Sequence, residues 1–129
     1  MKYYFRLQQK NISIESMRAW TSDYMNDAGY IDQYMFDTIE EYERAISELR
    51  EKYEGTICVT DTVSDARFGG AADAFDDDEA EVVVVTGTKA FDIYDGVRLY
   101  SNTLTEIARH TFREWKRMVA SGEAYKYDV

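Results

Sequence analysis

Apolar and polar positions alternate at the start of the chain, with Tyr3, Phe5 and Leu7 on one side and Tyr4, Arg6 and Gln8 on the other. A period of two belongs to a half-buried strand and predicts one over 2–8. The period then lengthens. Met17, Trp20, Tyr24, Met25 and Ala28 recur at helical spacing behind Ser13, an N-cap residue, and Gly29 closes the run, predicting a helix over 14–28. Residues 30–36 read as a brief strand or an extended connection. Asp37 with Glu40 resembles a capping box, and Ile39, Tyr42, Ala45, Ile46, Leu49 and Tyr53 form one stripe of a second helix over 38–53. On its outer side Glu40 with Arg44, and Glu48 with Lys52, are spaced as i,i+4 ion pairs.

In the second half, β-branched residues predict a strand over 56–60, and the valine run 82–86 has the composition of a strand buried on both faces. Thr86, Gly87 and Thr88 read as a turn, 90–94 as a strand, and Asp95-Gly96 as a hairpin turn into 97–100, so that three strands form an antiparallel meander. Thr103 with Glu106 supplies a capping box. Leu104, Ile107, Ala108, Thr111, Phe112, Trp115, Met118 and Val119 then fit one face of a single last helix ending before Gly122, with Arg109, His110, Arg113, Lys116 and Arg117 on the opposite face. This order predicts a single α+β domain over 1–129, a mainly antiparallel sheet of four to five strands packed by about three helices lying chiefly on one face.

Between these elements lies the stretch 61–81, with two glycines at 69–70 and at most a short helical turn over 71–75. It holds eight carboxylates and one arginine, a net −7 of the formal −10 carried by 129 residues. Such a charge balance, with a pI near 4.5, argues against direct binding to nucleic acid or to an anionic membrane. No apolar run is long enough to span a bilayer and the first residues lack a signal-peptide core, so a cytoplasmic protein is expected. The lone Cys58, inside an apolar run, reads as a buried inert thiol.

Catalytic chemistry finds no constellation. The only histidine, His110, falls on the basic face of the predicted last helix and reads as a solvated side chain with no nucleophile beside it. The acidic stretch offers hard oxygen ligands, yet its spacing is not that of a calcium loop, zinc has no Cys or His cluster, and Gly69-Gly70 lacks the residues of a phosphate loop. No cofactor and no metal are expected, and the chain reads as a non-enzyme.

Two readings of the stretch remain, a solvating loop and a phosphate imitation that enters a partner's basic groove. Duplex DNA presents one charge per roughly 1.7 Å of axis, so a dense carboxylate array competes for the same Lys and Arg side chains. Asp23, Asp27, Asp32 and Asp37 on or after the first helix, and Glu40, Glu41, Glu43, Glu48, Glu51 and Glu54 on the second, extend that array. Eleven tyrosines add large, low-entropy contact area. The candidate partner-binding residues are Asp73, Asp76, Asp77, Asp78, Glu79 and Glu81, with Tyr30 and Tyr34 beside them.

A small, strongly acidic, tyrosine-rich chain of this profile resembles phage-encoded inhibitors of the anti-CRISPR and anti-restriction kind, several of which act as DNA mimics. The resemblance is one of composition over the whole chain. It implies a protein partner that itself binds nucleic acid, such as a CRISPR effector, and transfers no residues. Two alternatives stand beside it, a self-assembling protein whose basic face 109–117 meets the acidic loop of a neighbour, and a small-molecule or divalent-metal binder.

Overall fold

The computed structural model describes residues 2–11, 35–64, 76–93 and 96–128. Among these residues six strands and two α-helices follow one another as β1 (Tyr4–Gln9), α1 (Ile39–Tyr53), β2 (Thr56–Val59), β3 (Ala80–Thr86), β4 (Lys89–Ile93), β5 (Gly96–Tyr100), β6 (Thr105–Thr111) and α2 (Phe112–Ser121). Short 3₁₀ segments cover Ser101–Thr103 and Glu123–Tyr127. The α+β class is as expected. The expected helix over 14–28, the segment 30–34 and the helical turn over 71–75 lie outside the described residues.

The strands do not form one sheet. They make two antiparallel sheets of three, in the orders β1-β3-β6 and β2-β5-β4. The reason lies in β3, whose valines are all at most 1% exposed. Successive side chains leave a strand on opposite faces, so a run of four valines demands an apolar layer on each side. Val82 and Val84 join Phe5, Leu7, Phe112, Trp115 and Met118 beneath α2. Val83 and Val85 join Tyr4 and the second sheet's Ile57, Val59, Val97 and Leu99. The β1-β3-β6 sheet is therefore a middle layer between a helix and another sheet, and helices do not cover it alone.

This layering corrects three sequence expectations. β1 is buried on both sides, Tyr4 and Leu7 alike, instead of half-solvated. The meander breaks at its first joint, because β3 pairs with β1 and β6 while only β4 and β5 form the hairpin. The long last helix is a strand followed by a shorter helix. Thr105, Ile107 and Thr111 are β-branched, the segment fills the open edge of β3, and its positions Ala108 and His110 lie opposite Val84 and Val82. An apolar spacing of three and four leaves room for either period over so short a stretch.

The caps record the same correction. Thr103 does not begin a helix; its hydroxyl donates to the Tyr100 carbonyl at 2.7 Å and accepts from the Thr88 amide at 2.9 Å. The second T-x-x-E of the region is the one used, the Thr111 hydroxyl accepting from the Glu114 amide at 3.1 Å. At α1 the cap is likewise one residue later than expected, with Thr38 accepting from the Glu41 amide at 3.2 Å.

The sheets are joined where Phe5 and Thr60 exchange backbone hydrogen bonds of 2.8 and 2.9 Å, and where Arg6 Nη1 donates to the Cys58 carbonyl at 2.8 Å. Gly96 opens β5 for a steric reason, since a Cβ there would stand 2.5 Å from the Val59 carbonyl oxygen. On the far side of the second sheet Arg98 is fully buried, donating from Nε and Nη2 to the Thr56 hydroxyl and carbonyl at 3.0 Å each. Its guanidinium lies 4.8 Å from the ring centre of Tyr53, the one buried residue of α1. Tyr42, Ala45, Ile46 and Leu49 of the expected stripe are half-buried, and Ile39 is exposed. Among the described residues no helix is long and apolar enough to cross a membrane.

If Thr111 is the residue at which strand becomes helix, Thr111→Ala will lower the unfolding free energy by about 0.5–2 kcal/mol, the cost of an N-cap. Urea denaturation followed by circular dichroism measures it, and an unchanged midpoint would contradict the assignment.

Candidate functional site

The acidic stretch reaches the described structure at its two ends. After β2, Val63 tucks into the core beneath α2 while Asp61 stays at the surface, 3.6 Å from the Lys2 amine. At the other end Asp76 to Glu79 form a turn, closed by the Glu79 amide donating to the Asp76 carbonyl at 3.0 Å, that delivers the chain into β3. The Lys10 amide donates to the Glu79 carbonyl at 2.8 Å, extending the β1–β3 ladder by one step into the turn. This position sets the turn beside the start of α2, where the Arg113 amide donates to the Asp77 carbonyl at 3.3 Å.

The consequence is electrostatic. Lys116 Nζ donates to Asp77 Oδ1 at 2.7 Å. Arg113 holds Asp78 with two bonds, from Nε at 3.0 Å and from Nη2 at 3.2 Å. One residue into β3, Glu81 is ion-paired with Arg109 and accepts from the Asn11 amide at 3.0 Å. Arg109 in turn reaches Glu106 through Nε at 2.8 Å. Three of the candidate carboxylates are thus held by the chain's own basic strand and helix, the face that sequence reasoning had offered to a neighbour's loop.

These pairs differ in strength. Asp78 and Arg113 are largely solvated; the guanidinium's hydrogen bond and charge hold the carboxyl below its usual range, and the same contact raises the arginine. In water such a pair adds little to stability. Glu81 is 7% exposed, and Arg109 is raised chiefly by its bond to Glu106, against the cost of its own burial and with help from Glu81. A buried carboxylate needs its partner more than an exposed one does.

Of the remaining candidates, Asp76 and Glu79 present side chains that make no ion pair among the described residues, while Asp73, Tyr30 and Tyr34 lie outside them. Among the described residues, a longer row of water-facing acids runs along α1 and its C-cap Glu54. Glu40, Glu43, Glu48, Glu51 and Glu54 are all exposed and make no ion pair among the described residues. The two expected i,i+4 pairs of this helix do not close; Lys52 instead lies 4.6 Å from the ring centre of Phe91.

Among the tyrosines, Tyr53 is core as periodicity required, and Tyr4 proves to be core as well. Tyr100 and Tyr125 are exposed at 44% and 47%. His110 is not the solvated residue its place on a helix implied. It lies on β6 facing α2, part-buried, with Nε2 3.1 Å from the Tyr127 hydroxyl and its ring centre 5.8 Å from that of Trp115. Burial first, then the charge of Lys126, push its pKa below the usual imidazole value. Only the strand period places His110 opposite Val82, so a helical reading had no means of finding this cluster.

Cys58 is half-buried, not fully enclosed as its apolar run implied. No group of three or more His, Cys, Asp or Glu that would hold a metal ion occurs among the described residues. What the arrangement offers chemically is charge and contact area. No protein-family model, no curated protein and no solved structure matches this chain.

The difference between the two kinds of pair is measurable. Glu81→Gln will cost about 1.5–3 kcal/mol, the range for a hydrogen bond to a charged partner, whereas Asp78→Asn will shift the urea midpoint far less and lose even that shift in molar salt. Equal effects of the two substitutions would show that burial does not separate them.

Proposed function

We propose that this protein is a non-enzymatic binding protein that occupies the basic groove of a nucleic-acid-binding partner, with α1 as its principal contact. The observation that supports this reading is the row of carboxylates on α1. Glu40, Glu43, Glu48, Glu51 and Glu54 lie on the side of the helix opposite the half-buried stripe Tyr42, Ala45, Ile46 and Leu49. A helix rises about 1.5 Å per residue, so the row runs for roughly 21 Å with one carboxylate about every 5 Å. One DNA strand carries a phosphate about every 3.4 Å along the axis. The row is a sparser line of the same sign and a similar reach. Arg44 lies within it and, with Arg50 and Lys52 in the last turn, reduces the charge of the helix.

Asp76 and Glu79 add two further carboxylates at the acidic turn, while Asp77, Asp78 and Glu81 serve the fold. The contact surface first expected over 73–81 is accordingly narrowed within the turn and moved towards the helix. Exposed Met35 and Ile39, at 70% and 53%, give the N-terminal end of α1 apolar area among its acids. The compositional resemblance to phage-encoded inhibitors supplies the class of partner, a host protein such as a CRISPR effector whose groove is lined by Lys and Arg.

The test is retention of partners from lysate by the tagged protein at low and moderate salt, beside two variants. One carries Glu40, Glu43, Glu48 and Glu51 changed to Gln, the other Asp76→Asn with Glu79→Gln. The expected result is a nucleic-acid-binding protein retained by the native chain, lost with salt and lost by the α1 variant, whose circular dichroism stays native. Undiminished retention by the α1 variant would overturn the assignment of the contact to α1.

A further inference from the structure

After α2 the chain turns back on itself at Gly122, whose φ of 85° lies in the left-handed region that glycine adopts without strain. The segment Glu123–Tyr127 then lies along the surface made by α2 and β6. Its Ala124 is fully buried. Tyr127 stacks on Trp115 at 25° with ring centres 6.1 Å apart, and meets Tyr3 edge-on at 5.6 Å. Its hydroxyl is the partner of His110 Nε2. The segment is thus fastened by one small buried residue, one ring and one imidazole.

We propose that Glu123–Tyr127 is an acid-released strap, docked while His110 is neutral and freed when His110 takes up a proton. The geometry supplies the reason. His110 stands between Trp115, which is fully buried, and Tyr127, opposite Val82 of β3, so a charge placed on its half-buried ring meets aromatic and apolar surface on those sides. The charged and titratable groups around it are few. From the strap come Lys126, which repels the imidazolium, Glu123, which attracts it, and the Tyr127 hydroxyl. From α2 comes Glu114, also attractive; the lead into β1 brings Tyr3 against Tyr127, and β3 offers only Val82. Both attractive carboxylates are already engaged, because Arg117 Nε donates to Glu114 at 3.0 Å and Arg117 Nη2 to Glu123 at 2.9 Å. Arg109 on the same strand is committed to Glu81 and Glu106.

Protonation leaves the hydrogen bond to Tyr127 formally intact, with Nε2 as donor, but holds the ion partly out of water. Undocking the strap hydrates it and removes Lys126 from its side. The undocked state therefore binds the proton more readily than the docked one. Docking is undisturbed above the ordinary imidazole value of 6.5 and weakens as the pH falls below it. Between that value and the docked-state pKa, the undocked fraction rises by up to about tenfold per pH unit and then levels off. A five-residue 3₁₀ segment with one buried residue can open locally without unfolding the core.

The full chain carries one histidine, so a single imidazole signal reports the titration by NMR. It is followed together with amide-exchange protection factors for 123–128 and for 82–85 between pH 7.5 and 5. The expected result is a His110 midpoint below 6.5, protection of the strap falling in that window while protection of β3 holds, and a flat strap profile in His110→Gln. Tyr127→Phe should lower strap protection at every pH. A midpoint at or above 6.5, loss of β3 and strap protection together, or an unchanged pH profile in His110→Gln would each overturn the proposal.

Discussion

Four consecutive valines with no access to water set the terms for the rest of this protein. A strand whose side chains leave on both sides, each burial worth about 1.5–3 kcal/mol, gains its full stabilisation only between two apolar layers. α2 provides one layer and the sheet β2-β5-β4 the other. The same strand has two edges whose backbone groups need partners, and β1 and β6 supply them. Recruiting β6 to the second edge is what shortens the last helix. It also sends Ala108 and His110 towards α2, while Arg109 pairs with Glu81 on β3.

The charge of the chain is arranged around that framework. Entry into β3 runs through the most acidic part of the sequence, and the emerging carboxylates meet Arg109, Arg113 and Lys116 on the neighbouring strand and helix. Solvated pairs of this kind add little to stability singly, but they remove like-charge repulsion where the turn must approach the sheet. Among the described residues, α1 then presents a row of exposed carboxylates that make no such ion pairs, although Arg44, Arg50 and Lys52 on the same helix offset part of its charge. A net charge concentrated in one stretch of sequence is in this way redistributed in space, and the proposed contact follows the redistribution.

Arg98 shows the opposite treatment of a charge. It sits in a strand with Val97 and Leu99 on its other side, and the alternation alone would place it in water. Thr56 and the ring of Tyr53 close over it instead, giving its guanidinium hydrogen-bond acceptors and a π face. Desolvating a guanidinium is tolerable only with such partners. The joint between α1 and the second sheet is therefore partly polar, unlike the valine-filled joint between the sheets.

Local signals decided much of this by sequence alone. The valine run announced a strand buried on both faces, an Asp-Gly signal announced the β4–β5 hairpin although Gly96 itself opens β5 opposite Ile93, and the stripe of α1 placed that helix within a residue. These features depend on neighbours a few positions away, so a one-dimensional pattern contains them. The pairing of β3 with β1 and β6 in place of β4, the conversion of 105–111 from helix to strand, and the burial of Arg98 and His110 were settled only in three dimensions. In each case the deciding partner lies far off in sequence: an unpaired strand edge, a tyrosine from another element, a strap folded back on a tryptophan. The acidic stretch belongs to both accounts. Its charge was plain in the sequence, but which of its carboxylates face water depended on Arg109, Arg113 and Lys116, brought beside the turn by the fold.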